Sequence, residues 1–213
     1  MGGHADGEKA SLAAMVGMAN YVEELNGAEA FVSQDEMLLA VANCTWAAMV
    51  GGVSRECEVD ESGTTATYAI IAADGKYILP HVGDSRAYQL GGARLTEDNS
   101  MVWDAFSRGD LTEEQLANSP HKNVLLDVIT GGAGDGKGEF KIGHQGVLKL
   151  GEGLTFVTDG VWEGEGDFVG RGLGKNPASL ESLRRVAVDY DSHNKKGDNC
   201  TVVVVEIERR AKL

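Results

Sequence analysis

Residues 64–90 read TTATYAIIAADGKYILPHVGDSRAYQL, and this stretch carries the clearest strand signals in the chain. Two runs that are rich in β-branched and aromatic residues, 64–73 and 76–82, are typical of β-strands. They are separated by Asp74-Gly75, a dipeptide typical of tight hairpin turns, and a third run at 86–90 continues the meander. Because a hairpin joins neighbouring strands that run in opposite directions, the stretch predicts an antiparallel sheet.

Helical patterns precede this stretch. Small and apolar residues recur at three- and four-residue spacing over 6–25 and predict a helix with an alanine-rich face. The sequence SQDE at 33–36 is a capping box and predicts the start of a second helix, which Gly51-Gly52 is expected to end. Two consecutive helices with small-residue faces are expected to pack closely as an antiparallel pair.

Helical and strand patterns alternate again in the second half of the chain. The helical patterns lie at 100–127 and from Asn176-Pro177 onward, and the strand patterns lie at 140–150, 154–158 and 201–205. The last of these runs, TVVVV, is apolar without alternation and predicts a strand covered on both faces. The order of helices, strands, helices and strands predicts one α+β domain over residues 1–213, with a sheet between a second sheet and a layer of helices.

The composition narrows the class of partners. The chain has 19 Lys and Arg residues against 33 Asp and Glu residues, a net charge of −14, so nucleic acid and anionic membranes are not expected as partners. We expect no apolar run long enough to cross a bilayer, and the N-terminus lacks the order of a signal peptide. The three cysteines form no C-x-x-C pair and indicate free thiols in a reducing cytoplasm.

Aspartates stand where predicted strands end. Asp159 follows the run at 154–158, Asp198 precedes the last strand, and Asp84 and Asp98 follow strands of the meander. Carboxylates that converge at strand ends repel one another unless a cation lies between them, and oxygen ligands suit Mg²⁺ or Mn²⁺. Each aspartate alone can also be interpreted as a turn former, since Asp-Gly and Asp-Asn are turn signals.

Several segments, in this order along the chain, resemble the motifs of the metal-dependent PP2C-type (PPM) protein phosphatases. They are MGGHADGEKAS at 1–11, SGTTATYAII at 62–71, HVGDSRAYQL at 81–90, LTEDNS at 95–100, TFVTDGVWE at 155–163 and GDNCTVVVVE at 197–206. The helical stretch LTEEQLANSPHKNVLL at 111–126 is also similar to bacterial members. The resemblance implies a β-sandwich flanked by helices, in agreement with the α+β prediction.

The resemblance also implies a metal site. Asp159 and Asp198 match ligands of a binuclear Mn²⁺ or Mg²⁺ centre, and Asp98 matches the ligand of a third ion in bacterial members. No side chain is expected to act as the catalytic nucleophile, since the family uses a metal-bound water. Asp84 and Arg86 are expected to support the site. Asn99 stands where the family usually has histidine, a departure that bears on the third ion.

The start of the chain departs from the family pattern as well. The family's bridging aspartate would directly precede Met1, so the domain is expected to be incomplete at its N-terminus, without its opening strands. The leading hypothesis is a phosphatase that acts on phosphoserine and phosphothreonine in proteins, with a cognate Ser/Thr kinase as a partner. The alternative is a phosphatase-like binding or regulatory module without turnover. A third interpretation is an unrelated α+β protein whose Asp-Gly pairs only form turns.

Overall fold

The computed structural model describes residues 7–25, 34–57, 62–90, 93–131, 140–162 and 201–208. Its helices are α1 (Gly7–Leu25), α2 (Gln34–Glu56), α3 (Met101–Ser107), α4 (Glu113–Ala117) and α5 (Asp159–Trp162). Its strands are β1 (Gly63–Thr64), β2 (Ala66–Thr67), β3 (Ile70–Ile71), β4 (Lys76–Val82), β5 (Arg86–Gln89), β6 (Ile129–Thr130), β7 (Ile142–Val147), β8 (Gly153–Val157) and β9 (Val202–Glu206). Ser33, Asn176 and Pro177, which carry two of the predicted helix starts, lie outside these residues.

Helices α1 and α2 form the predicted antiparallel pair and approach each other closely. A Cβ built on Gly17 would lie 2.2 Å from the carbonyl oxygen of Ala48, and one built on Gly52 would lie 2.3 Å from that of Ala13. The prediction that Gly51-Gly52 ends the second helix is wrong, because α2 continues to Glu56. Glycine at position 52 permits this contact, since any side chain there would prevent the two backbones from meeting at this distance.

Helix α2 also corrects the expectation about apolar length. Its span Asp35–Glu56 is long and apolar enough to cross a membrane by length and composition. A core helix of a soluble protein meets the same criterion, and Ala42, Thr45 and Val53 of α2 are fully buried in the fold. The apolar character of α2 is therefore accounted for in part by its packing against α1 and the first sheet.

The first sheet is built on β4, which pairs with β2 and β3 on one side and with β7 on the other. The predicted hairpin joins β3 to β4: Gly75 has φ 89°, and its amide donates to the carbonyl of Ala72 over 2.9 Å. Alternate residues of β4 face opposite layers. Ile78 packs against α2, whereas Leu79 packs against the second sheet.

The second sheet has the order β5-β8-β9, and all of its pairs are antiparallel. Its inner face contributes Ala87 and Leu154 to a core that also contains Tyr77, Leu79 and Leu148 of the first sheet and its flank. The result is two packed sheets with the α1–α2 pair on the outer face of the first. This arrangement confirms the predicted α+β class and the predicted layers. The assignment of residues 1–213 to one domain stays a prediction.

Three predicted elements differ in detail. The run 64–73 is divided among three short strands. Strand β1 pairs with β6 in a small separate sheet, and β2 is separated from β3 because Pro80 lies opposite Tyr68 and lacks the N–H that would continue the ladder. The helical stretch 100–127 divides into α3 and α4, since α3 stops before Gly109 at φ 82° and Thr112 begins α4 with a capping box. Strand β9 is not covered on both faces, because Val203 is 50% exposed.

Candidate functional site

Asp159 lies just beyond the C-terminal end of β8, the central strand of the second sheet, where the sequence predicts the site. It is the first residue of α5 and directly follows β8 and Thr158. The side chain is half-buried, and its Oδ1 accepts a hydrogen bond from the Gly160 amide over 2.9 Å. The Trp162 indole at the other end of α5 donates to the Asp84 carbonyl over 2.9 Å. This bond fixes α5 against the residues that precede β5.

The segment that carries the LTEDNS motif is bound by two contacts to the loop before β5 and by a third to β4. Asn99 accepts a hydrogen bond from the Gly83 amide over 2.9 Å through its side chain, and its own amide donates to the Gly83 carbonyl over 2.7 Å. His81 adds a contact of 2.8 Å between its Nε2 and the Glu97 carbonyl. Asn99 therefore holds the two motif segments together through the residue type that departs from the family pattern.

Asp98 is buried and bound by two arginines. Arg86 donates to both of its carboxylate oxygens, from Nε to Oδ1 over 3.0 Å and from Nη2 to Oδ2 over 2.7 Å. Arg94 donates from Nη2 to Oδ1 of the same carboxylate. Burial opposes the charge on Arg86, but the hydrogen bonds and the charge of Asp98 raise the pKa of its guanidinium above the ordinary value. Loss of Asp98 would leave that buried charge uncompensated, which costs about 3–5 kcal/mol.

Each arginine also stacks on a tryptophan. The Arg86 guanidinium carbon lies 3.5 Å from the ring centroid of Trp162, and that of Arg94 lies 4.5 Å from the ring centroid of Trp103. We call Arg86, Arg94, Asp98, Trp103 and Trp162 the arginine–tryptophan cluster. It joins α5, which begins with Asp159, to the LTEDNS segment and to α3. Cation–π contacts of partly desolvated arginines are worth about 0.5–2 kcal/mol each.

His81 is buried beside this cluster. Its Nδ1 lies 2.9 Å from the Thr67 hydroxyl, and its Nε2 contacts the Glu97 carbonyl. Desolvation by burial lowers the pKa of the imidazole below its ordinary value. Because both ring nitrogens contact polar partners, His81 connects strand β4 to β2 and to the LTEDNS segment and has no free position for a ligand.

Comparison with known proteins finds relatives by sequence among bacterial serine/threonine phosphatases. The serine/threonine protein phosphatase PstP of Mycobacterium tuberculosis is 26% identical over 210 residues, which cover 97% of this chain and 39% of that protein. The serine/threonine phosphatase Stp of Listeria welshimeri is 30% identical over 158 residues, which cover 71% of this chain and 60% of that protein. The chain thus spans about two fifths of the first relative and three fifths of the second. No protein-family model matches it.

Comparison of folds finds the same phosphatase as the comparison of sequences. The crystal structure of PstP from Mycobacterium tuberculosis superimposes with a TM-score of 0.74 at 25% identity, covering 98% of this chain and 86% of that one. In both sequence and fold the chain is similar to the PP2C-type serine/threonine phosphatases of bacteria. A second structure, of the PstP catalytic domain in complex with two manganese ions, has a TM-score of 0.70 at 25% identity and covers 98% of this chain and 85% of that one.

Of the three aspartates that the resemblance predicts as metal ligands, Asp159 and Asp98 lie within the described residues. Asp159 is half-buried at the end of β8, a position that suits a cation ligand. Asp198 lies outside the described residues. Asp98 does not fit a cation in this arrangement, because both of its oxygens accept hydrogen bonds from guanidinium groups. Within the described part of the chain, no group of three or more His, Cys, Asp or Glu side chains could hold a metal ion. The ligand roles of Asp159, Asp198 and Asp98 therefore stay predictions.

The sequence predicts only some of the residues that surround the site. Asp84 and Arg86 are predicted to support the site, and the geometry brings both of them to α5. Arg94, Trp103 and Trp162 have no role in the sequence-based prediction. The one usable signal is the spacing of Arg94, four residues before Asp98, because a cation near a motif carboxylate can pair with it. The tryptophans give no signal, since their contacts are formed between distant parts of the chain.

Proposed function

We propose that the protein is a divalent-cation-dependent phosphatase that hydrolyses phosphoserine and phosphothreonine in other proteins. The observation that carries the proposal is the match of 97% of the chain to a serine/threonine protein phosphatase, together with a TM-score of 0.74 to a structure of PstP. A relative's structure holds two manganese ions, which supports Mn²⁺ or Mg²⁺ as the cofactor. A cognate Ser/Thr kinase and a cytoplasmic location are part of the same proposal.

We assign Asp159 and Asp198 as cation ligands. Bound divalent ions would supply an activated water as the nucleophile and would neutralise charge on the phosphate. The chain's own contribution is to position Asp159. Strand β8 places it at the end of a buried strand, and the bond from Trp162 to the Asp84 carbonyl holds α5 in its orientation. A carboxylate that is fixed in this way loses little entropy when it takes up a ligand.

The assignment is tested by Asp159→Asn. This change removes the anionic charge and preserves the shape, so Mn²⁺-dependent hydrolysis of a phosphoserine peptide should fall by at least about tenfold, a barrier increase of roughly 1.4 kcal/mol. Asp35→Asn is the matched control. Asp35 is exposed and pairs with Lys76 at a distance of 2.8 Å, so the same change of charge there should leave the rate unaffected. Full activity of Asp159→Asn would refute the assignment.

A second candidate function is a phosphatase-like module that binds without turnover. The observation that favours it is the pairing of Asp98 with two arginines, because a carboxylate that is paired in this way is not available as a ligand for a cation. Calorimetric titration with Mn²⁺ separates the two functions. Micromolar binding with hydrolysis of the phosphopeptide supports the phosphatase, whereas weak binding without hydrolysis supports the module.

A further inference from the structure

The solvent-facing side of α1 carries a continuous apolar surface. Its members recur at three- and four-residue spacing and are all exposed: Leu12, Met15, Val16, Ala19 and Val22. The four larger ones are between 46% and 63% exposed, and the buried residues of α1 lie on the opposite side of the helix. We call these five residues the α1 stripe. We propose that the α1 stripe binds the α1 stripe of a second copy of this chain, with the two helices antiparallel about a two-fold axis.

The spacing of the α1 stripe makes it complementary to itself. Residues 12, 15, 19 and 22 alternate by three and four, which is the spacing of the apolar positions in a heptad repeat. They are placed symmetrically about Gly17, so an antiparallel copy with its two-fold axis near Gly17 sets Leu12 opposite Val22 and Met15 opposite Ala19. Each pair sets a larger side chain against a smaller one and occurs twice, as a two-fold interface requires. The α1 stripe therefore fits a second copy of itself.

A groove beside the stripe carries positive charge. It lies between α1 and the end of α2 and has a volume of about 200 Å³; Leu12 and Val16 contribute to its apolar walls, and its charged residues are Lys9, Arg55 and Glu56. Within the described part of the chain, neither Lys9 nor Arg55 forms an ion pair. Two cations without a partner attract a carboxylate from another molecule. The groove therefore fits an apolar side chain that is followed by an acidic one.

The other end of α1 supplies these two residues. Val22 belongs to the α1 stripe, Glu23 follows it, and both are exposed. Among the described residues Glu23 has no ion-pair partner, and the last turn of α1 has no basic residue. Antiparallel packing brings this end of α1 to the groove of the second copy, where Glu23 comes within reach of Lys9 and Arg55. Parallel packing would set Lys9 beside Lys9 and Glu23 beside Glu23, so the charges select the antiparallel arrangement.

The expected dimer is weak and leaves the candidate site open. Helix α1 has 19 residues and is about 28 Å long, and one helix pair of this length buries less area than the roughly 1,200 Å² of a stable complex. The net charge of −14 on each copy also opposes association. We therefore expect a reversible dimer with a dissociation constant on the order of 10–100 µM. The helical layer covers the first sheet, whereas Asp159 follows β8 of the second sheet, so the inference does not depend on the proposed function.

Sedimentation velocity of the 213-residue chain from about 1 to 300 µM tests the inference, and the wild type should shift from monomer to dimer across this range. The acidic variant combines Lys9→Glu with Arg55→Glu, and the basic variant is Glu23→Lys. Each variant sets like charges against each other at both ends of its own dimer, so each alone should dimerise at least about tenfold more weakly than the wild type. An equimolar mixture sets opposite charges together at both ends and should dimerise as the wild type does.

The controls separate a local match from a general effect of charge. The basic variant reduces the net negative charge, so a general effect would strengthen its self-association instead of weakening it. Met15→Glu should abolish the dimer, since Met15 is 62% exposed and its side chain is placed to contact the second copy. Leu150→Glu is the matched control, because Leu150 is 57% exposed in the turn between β7 and β8. Circular dichroism should show melting temperatures close to that of the wild type for all of these variants.

Three results overturn the inference. A wild type that stays monomeric at the highest concentration shows that a second copy is not what covers the α1 stripe. A dimer that survives Met15→Glu has its interface elsewhere on the molecule. A mixture that associates no more strongly than its two components shows that the ends of α1 do not pair in the antiparallel arrangement.

Discussion

Substitution of Gly52 by alanine should weaken the whole helical layer. The added Cβ would lie 2.3 Å from the carbonyl oxygen and 3.1 Å from the carbonyl carbon of Ala13 on the opposite helix. Ordinary van der Waals contact begins at 3.4 Å, so the oxygen is about 1 Å too close. Both atoms belong to rigid helical backbone and cannot rotate away. The helices must separate, and the buried residues around the contact must lose packing with them.

The magnitude follows from two opposing terms. Overpacking against an unyielding neighbour costs about 1–3 kcal/mol, and separation of the helices also opens space beside Trp46 and Val53, which are buried in the same cluster. Replacement of glycine by alanine inside a helix returns about 0.5–1 kcal/mol. We therefore expect a net loss of about 2 kcal/mol, or a fall of roughly 4–8 °C in the melting temperature of a chain of this size.

The adjacent residue provides the control. A Cβ on Gly51 would meet only the end of the Arg55 side chain, at 3.5 Å, so Gly51→Ala should gain the helical term without the clash. Urea unfolding followed by circular dichroism should show Gly52→Ala less stable, and Gly51→Ala as stable as or more stable than the wild type. Equal stability of the two variants would show that α1 and α2 do not meet as closely as the structure has them.

Two further predictions concern stability. Burial lowers the pKa of His81, so the unfolded chain takes up a proton before the folded chain does as the pH falls. The free energy of unfolding should therefore decline below about pH 6.5, and His81→Gln should make that decline less steep. An unchanged slope in His81→Gln would contradict this. Gly75→Ala and Gly109→Ala both place alanine at positive φ, but only Gly75 also meets backbone, 2.2 Å from the carbonyl oxygen of Leu148. In urea unfolding Gly75→Ala should therefore be the more destabilising by at least about 1 kcal/mol, and equal losses would count against the close approach of Gly75 to Leu148.

The parts of the fold that follow from local chemistry could be predicted from the sequence. The Asp74-Gly75 turn and the flanking β-type runs determine the hairpin within a few residues, and the structure has it in that place. The position of Asp159 after a buried strand was also available, because one apolar run leads directly into an aspartate. Such signals lie within short windows and do not depend on the rest of the chain.

The features that depend on distant neighbours could not be predicted. Gly51-Gly52 has the sequence of a helix end, yet α2 continues through it to Glu56. Gly52 instead allows close contact with the backbone of Ala13, which is far away in sequence. The break in the first sheet arises because Pro80 falls opposite Tyr68, which requires knowledge of the register. In both cases a long-range contact overrides a correct local rule.

Asp98 shows the same limit at the candidate site. The LTEDNS motif indicates a cation ligand, but the pairing of Asp98 is decided by Arg86 and Arg94, neither of which lies within that motif. The contacts of a motif carboxylate are thus set by residues outside the motif, and the sequence alone does not pair those residues with it.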